Sequence, residues 1–125
     1  MSSIAEKLRA ARRFEIKVGD ITFFGTRATP EQLIKYASKA ITDAEVCRFH
    51  IDNWKGAKEC DLIEGGSKEP VKFDSDDFSE VIGEKPEWYN AIAAEILKNA
   101  QETYRKKNEN EKNLKAGSTT NKSDT

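Results

Sequence analysis

Apolar and polar residues alternate in the first strand-like segment of the chain. Residues Phe14–Val18 place an apolar side chain at every second position, the period of a half-buried strand. Gly19-Asp20 follows as a two-residue turn, because glycine accepts the positive φ of primed hairpin turns. The next strand puts Phe23 and Phe24 on opposite faces. The pattern predicts a β-hairpin over residues 14–28, with Phe24 on the face away from Phe23.

Apolar residues recur at helical spacing in four other segments. They are residues 4–11, 29–41, 75–82 and 86–104. Thr29 is a good N-cap and Pro30 suits the first position of the second helix. Asp74 or Ser75 caps the third helix, and Gly83 ends it. The last helix has a wide apolar face over its first half, so we expect it to pack firmly there.

The stretch CRFHIDNWKGAKEC, residues 47–60, contains both cysteines and the single histidine of the chain. Cys47, Phe49 and Ile51 alternate with polar residues, so we favour a strand with Cys47 buried and His50 exposed or half-exposed. The same residues also fit helical spacings, and that alternative stays open. A loop follows from Gly56, and residues 71–73 are predicted as another short strand.

These elements predict an α+β fold. It consists of an N-terminal β-hairpin plus one or two further short strands packed with three to four helices, followed by a disordered C-terminal tail. Residues 1–13 form an N-terminal helix or arm, residues 14–104 a single domain, and residues 105–125 a polar tail. The tail has one large apolar residue, Leu114, and cannot offset the entropy of ordering from about Asn108 onward.

Charge is distributed unevenly along the chain. The 125 residues are 37% hydrophobic and 34% charged, with a net charge of −1, so no overall field attracts nucleic acid. Residues 59–87, however, contain ten acidic residues and three lysines, between a basic N-terminus and a basic tail. This distribution suggests electrostatic selection of protein partners. With no apolar run of membrane length and no secretory h-region, we expect a cytoplasmic protein that binds neither membrane nor nucleic acid.

No set of residues predicts a catalytic or metal site. A structural zinc site takes four nitrogen or sulfur ligands, and Cys47, His50 and Cys60 are the only cysteines and histidine present. A strand would also place Cys47 and His50 on opposite faces, which separates thiol from base. The acidic residues from Asp74 to Glu80 lack the spacing of a calcium loop. We therefore expect a non-enzymatic binding protein without a cofactor.

Several short motifs carry a family resemblance. An apolar segment ends in Trp54-Lys55-Gly56, a glycine-containing loop follows, and Pro70-Val71-Lys72-Phe73 precedes the acidic-capped helix at Asp74–Ile82. With the initial hairpin, and the helix that begins at Thr29-Pro30, residues 14–104 resemble small tail assembly chaperones of long-tailed bacteriophages. The resemblance implies structural roles for five residues. They are Trp54, Gly56, Pro70, Val71 and Phe73.

The resemblance implies a non-enzymatic role in virion assembly. Such chaperones coat the tape-measure protein, help recruit tail-tube subunits, act in the infected host cytoplasm and are generally absent from the finished virion. Many are made in two lengths by ribosomal frameshifting. Helix-in-groove binding needs an apolar groove with charged rims, which we expect near Phe24, Tyr36, Trp88 and Tyr89. A homo-oligomer is compatible with this role.

Two other functions are compatible with the sequence. One is a phage virion structural protein, a tail or tail-completion subunit with the same α+β architecture. The other is a small acidic regulator or inhibitor, whose acidic middle binds a basic host protein in a salt-sensitive way.

Overall fold

The computed structural model describes residues 3–119 of the chain. Three strands and six helices follow one another in these residues: α1 Ile4–Ala11, β1 Arg13–Val18, β2 Ile21–Thr26, α2 Pro30–Ser38, α3 Asp43–His50, β3 Ile51–Lys55, α4 Glu59–Leu62, α5 Ser75–Gly83 and α6 Pro86–Thr119. The strands form one antiparallel sheet in the order β1-β2-β3. The α+β class and the N-terminal hairpin are confirmed.

The hairpin forms because the geometry of its turn matches the pairing of its two strands. Gly19 adopts a φ of 61°, and the register pairs Val18 with Ile21 directly beside the turn. On one face of the sheet the strand residues are buried, and Phe23 is fully so. On the other face, the residues that pair with Phe24 across β1 and β3 are exposed. The sheet is therefore covered on one face only.

The core lies between the covered face of the sheet and helices α3, α5 and α6. Phe23 packs against Trp54, Phe78 and Trp88, with ring centroids 6.5, 6.1 and 5.3 Å away. The remaining fully buried large side chains come from the three helices. They are Cys47, Ile82, Ile92 and Ile96. These contacts explain the wide apolar face of α6.

The predicted strand from Cys47 was wrong up to His50, because these residues end helix α3. Thr42 forms a capping box with Glu45, in which each side chain accepts from the backbone N–H of the other residue. The pattern Thr-x-x-Glu is the sequence signal for such a capping box, and it favours the helix over the predicted strand. The strand begins only at Ile51. The prediction that His50 is exposed or half-exposed is also wrong. Its side chain is 3% exposed, because the helix places it on the same side as the buried Cys47.

The predicted strand at residues 71–73 does not form. Pro70 makes a single bridge to Lys58, and the Val71 N–H donates to the Ala57 carbonyl at 2.9 Å. The Val71 carbonyl accepts the Trp54 indole N–H instead of the Ala57 backbone N–H, so the backbone pairing does not continue past this residue. The short helix α4, within the predicted loop, was also missed.

Helix α6 continues through residues 105–119, the first part of the segment that the sequence predicts as a polar tail. Side chains 105–110 are all exposed, so this stretch adds nothing to the core. The packed part of the helix, which ends near the fully buried Ala100, provides the nucleus, and lysine and glutamate propagate a helix well. Residues 1–2 of the predicted arm and residues 120–125 of the predicted tail lie outside the described residues.

We expect Gly25→Ala to destabilise the fold severely. A Cβ atom at Gly25 would lie 2.2 Å from the His50 carbonyl oxygen, and neither backbone can move without breaking the bulged pairing of β2 with β3. The free energy of unfolding in urea should fall by about 3 kcal/mol or more. Gly19→Asn is the matched control, because Gly19 has open space around it and asparagine tolerates its positive φ. Equal effects of the two substitutions would contradict the close approach at Gly25.

Candidate partner-binding surfaces

Trp88 and Tyr89 lie at the start of α6, against the core. Trp88 is 8% exposed, covered by the Phe23 ring on one side and by the Lys85 ammonium 5.0 Å from its ring. Tyr89 is half-buried, and its backbone carbonyl lies 3.6 Å from the Cys47 sulfur. Both residues are held by the packing of α6 on the sheet and on α3.

Phe24 lies on the opposite, open face of the sheet. It is half-exposed between Glu15 and Asn53, its cross-strand partners. An ion pair between Arg13 and Asp52 spans the sheet from β1 to β3. Since Trp88 packs against the face that contains Phe23, the sheet separates it from Phe24. The structure therefore does not bring the four predicted partner-binding residues together in one groove.

Tyr36 belongs to a separate aromatic cluster between α2 and α3. Its ring stacks on Phe49 at a centroid distance of 6.2 Å, and its hydroxyl lies 2.7 Å from Nε2 of His50. Phe49 is 58% exposed, so the cluster presents an aromatic surface. A strand over residues 47–51 would place Phe49 on the same face as the buried Cys47. The helical spacing, also visible in the sequence, places it outside.

Burial controls the charge state of His50. It lowers the pKa of the imidazole, and the backbone of Thr26 opposes this lowering only in part. Nδ1 has no hydrogen-bond partner of good geometry among the described residues. The neutral ring can accept the Tyr36 hydroxyl hydrogen at Nε2, so the neutral form is the one that the fold favours.

The five motif residues of the family resemblance form one structural unit. The Trp54 indole N–H donates to the Val71 carbonyl at 2.7 Å, and Phe73 meets the indole edge-on at 5.1 Å. Gly56 has a φ of 87° and approaches the Asp20 carbonyl so closely that a Cβ would lie 2.7 Å from it. Pro70 makes the bridge described above. The unit ties the segment after β3 to the segment before α5.

A groove of about 420 Å³ opens beside this unit, between α4 and α5. We call it the acidic groove. Its apolar lining residues are Leu62, Ile63, Val71 and Val81, and its charged lining residues are Glu59, Asp77, Glu80 and Glu84. Among the described residues, no lysine or arginine lines it. The acidic stretch is visible in the sequence, but the groove is not. Its apolar lining comes from three segments that only the fold brings together.

One rim carboxylate is already engaged within the chain. Glu59 accepts the Ser67 backbone N–H at 2.7 Å, and this hydrogen bond lowers the pKa of the carboxyl group. The side chains of Glu80 and Glu84 are exposed and take part in no ion pair among the described residues. The rim therefore presents exposed carboxylates that form no ion pair within the described part of the chain.

A second groove, of about 450 Å³, has the opposite charge. We call it the basic groove. It lies where α1, the start of α2 and the distal part of α6 meet, and it is lined by Leu8, Ala11, Arg12, Arg27, Thr29, Pro30, Tyr104, Lys107 and Asn108. The Arg27 guanidinium donates to the Ala11 carbonyl at 2.8 Å and lies 5.8 Å from the centre of the Tyr104 ring. These contacts fix the end of α1 on the domain.

The two grooves lie far apart along α6. Glu84 lines the acidic groove two residues before this helix begins, whereas Lys107 lines the basic groove. A helix rises about 1.5 Å per residue, so the 22 residues from Pro86 to Lys107 span roughly 30 Å. The molecule thus has an acidic surface near one end of α6 and a basic surface well along it.

Cys47 and His50 do not form a reactive pair. The expectation that they point to opposite faces was wrong, because α3 puts them on the same side. Even so, the Cys47 sulfur faces the Tyr89 carbonyl, whereas Nε2 of His50 faces Tyr36. Burial raises the pKa of the Cys47 thiol to about 12, which keeps it protonated. Within residues 3–119 no three His, Cys, Asp or Glu side chains are grouped to hold a metal ion.

Comparisons with known proteins do not assign the chain to a family. No family model, curated protein or solved structure matches it. No helix in the described part of the chain is long and apolar enough to cross a membrane. Function must therefore be inferred from the surfaces described above.

We expect one acid-dependent step in stability to come from His50. Its folded pKa is lowered from the ordinary value of about 6.5, so the unfolded chain binds a proton first as pH falls. The stability due to the neutral ring is complete above about pH 6.5 and is lost as pH falls toward the folded pKa. Urea unfolding between pH 7.5 and 5 measures this slope. Because His50 is the single histidine, His50→Gln should remove the slope, and an unchanged slope would contradict the assignment.

The two cysteines should differ in reactivity. Both are free thiols, Cys60 exposed and Cys47 buried. A thiol reagent such as DTNB should label one cysteine rapidly in the native protein and the second only after unfolding. Cys60→Ser should abolish the rapid phase, with Cys47→Ala as the matched control that keeps it. Rapid labelling of both thiols in the folded protein would contradict the buried position of Cys47.

Proposed function

We propose that this protein is a non-enzymatic phage tail assembly chaperone. In this role it binds a helical segment of the tape-measure protein and helps recruit tail-tube subunits in the infected host cytoplasm. The observation that carries the proposal is the acidic groove, which combines an apolar floor with a charged rim. This is the type of surface that we expected from the sequence, at a different place on the molecule.

The acidic groove suits an amphipathic helix. A helix offers apolar anchors at positions i, i+3, i+4 and i+7, which can contact Leu62, Ile63 and Val81 on the floor. Its volume of about 420 Å³ is that of a site for a few side chains. Carboxylates on the rim favour a helix with lysine or arginine beside its apolar stripe, and they disfavour an acidic one.

The family resemblance supports the same site. Val71 belongs to the Pro-Val-x-Phe motif, lines the acidic groove, and accepts the indole hydrogen bond of Trp54 from the Trp-x-Gly motif. The motif residues therefore hold one wall of the groove in place. A structural role for Trp54 and Phe73 is thus compatible with a binding role for the surface beside them.

A second function is supported by the same rim. A small acidic regulator would use Glu80, Glu84 and Asp77 to hold a basic host protein, and its binding would weaken steeply with salt. The two functions differ in partner. The chaperone binds the tape-measure protein of its own phage, whereas the regulator does not.

Substitutions in the acidic groove should weaken tape-measure binding. The full chain is titrated with tape-measure fragments by calorimetry, and a basic amphipathic peptide of unrelated sequence serves as a second probe. We expect Ile63→Glu, or Glu80→Lys with Glu84→Lys, to raise the dissociation constant at least tenfold, because these exposed side chains form floor and rim. Glu15→Lys on the open sheet face is the matched control.

The outcomes separate the two functions. No binding of any fragment at micromolar concentration by the folded protein contradicts the chaperone role. Salt-sensitive binding of the unrelated basic peptide alone favours the regulator. Tape-measure binding that is unchanged in both groove variants contradicts the assignment of the groove.

A further inference from the structure

Helix α1 is an unusually exposed amphipathic helix. It contains no buried residue, and Ile4 and Leu8, one turn apart on the same face, are 71% and 55% exposed. Lys7 and Arg12 flank this face, and Arg9 lies further around the helix. The one acidic residue of the helix, Glu6, accepts the Ser3 backbone N–H at 2.9 Å in a capping box.

We propose that α1 of a second copy of this chain occupies the acidic groove. Two features of the molecule match each other. The apolar pair Ile4 and Leu8 has the spacing that a helix needs to contact the floor of a groove. The basic residues beside the pair match a rim whose described residues include four carboxylates and no lysine or arginine. Opposite charges on two separate surfaces of one chain favour association between copies.

The helix cannot reach the acidic groove of its own chain. Its C-terminal end is held by hydrogen bonds from Arg27, one to the Arg12 carbonyl at 2.9 Å and one to the Ala11 carbonyl at 2.8 Å. The strand β1 follows directly at Arg13. Leu8 lines the basic groove together with Lys107, roughly 30 Å along α6 from the acidic groove. The contact must therefore join two molecules.

Such a contact is heterologous, because it joins two different surfaces. Each copy keeps one unused α1 and one unused acidic groove, so association continues head to tail into chains or closed rings. A single two-turn helix buries less area than a standard stable interface, so we expect dissociation constants on the order of tens of micromolar. The attraction is between exposed charges, so added salt should weaken it.

This inference uses the acidic groove of the proposed function but does not need the tape-measure partner. It also adds a form of regulation. While α1 of a neighbour fills the groove, a partner helix cannot enter, so self-association and partner binding compete. A tight-binding partner would disassemble the chains.

Sedimentation velocity on the full chain tests the proposal. The protein concentration is varied from roughly tenfold below to roughly tenfold above the expected dissociation constant. Wild-type protein should sediment faster as its concentration rises. Two variants should remain monomeric: Ile4→Ser with Leu8→Ser removes the apolar pair, and Glu80→Lys with Glu84→Lys reverses the rim. All four side chains are exposed, so the fold should persist, as circular dichroism can check. Glu15→Lys, which reverses one carboxylate on the open sheet face, should behave as wild type.

Mixing the two variants gives the decisive measurement. The α1 variant keeps its groove and the groove variant keeps its α1, so an equimolar mixture should form 1:1 dimers and nothing larger. Reversing charge on both sides, with Lys7→Glu and Arg9→Glu added to the groove variant, should restore assembly of that chain. A wild-type protein that stays monomeric, a mixture that stays monomeric, or assembly unaffected by the α1 variant would overturn the proposal.

The proposed function and this inference can fail separately. The α1 variant should bind tape-measure fragments at least as tightly as wild type, because it lacks the competing helix. Head-to-tail assembly without tape-measure binding would remove the proposed function and leave self-association standing. Tape-measure binding by a strictly monomeric wild-type protein would do the reverse.

Discussion

The fully buried Phe23 ring joins the sheet to the helices that cover it. It contacts Trp54 from the third strand, Phe78 from α5 and Trp88 from α6. Burial of one such ring stabilises a fold by about 2–3 kcal/mol, and each edge-on aromatic pair adds about 1 kcal/mol. In a chain of this length the core is small, so few other contacts could replace it. The cluster thereby holds β2, β3, α5 and α6 in position relative to one another.

The same cluster leads outward to the acidic groove. Trp54 touches Phe23 on its inner side and donates its indole hydrogen to Val71 on the other, and Val71 lines the groove. Phe78 anchors α5, whose next turn carries Glu80 and Val81 to the rim and floor. The core thus places apolar and acidic side chains side by side at the surface. Residues at the outer edge of the core thus line this groove.

Surfaces of opposite charge lie at different places along α6, so the charge distribution of the molecule is polar. The acidic groove lies near the start of this helix, and the basic groove, with α1, lies about 30 Å further along it. The net charge of −1 conceals this arrangement, because opposite local charges cancel in the sum. An interaction that depends on these surfaces is orientation-specific and sensitive to salt. Overall charge therefore says little about how this protein recognises others.

Local sequence signals determined those helices and strands for which the capping or turn residues and the hydrophobic period predict the same structure. The hairpin around Gly19, the helix after Thr29-Pro30 and the stop at Gly83 all follow from short-range sterics and hydrogen bonding, which need only neighbouring residues. Residues 47–50 show the limit, because alternation and helical spacing coexist there and the Thr42 capping box decides between them. The tertiary structure alone decided that Trp88 packs on the covered face of the sheet, so that the sheet separates it from Phe24, and that α4, Val71 and α5 meet in one groove. Those outcomes depend on contacts between residues distant in sequence, and periodicity in a single segment carries no information about its neighbours in space.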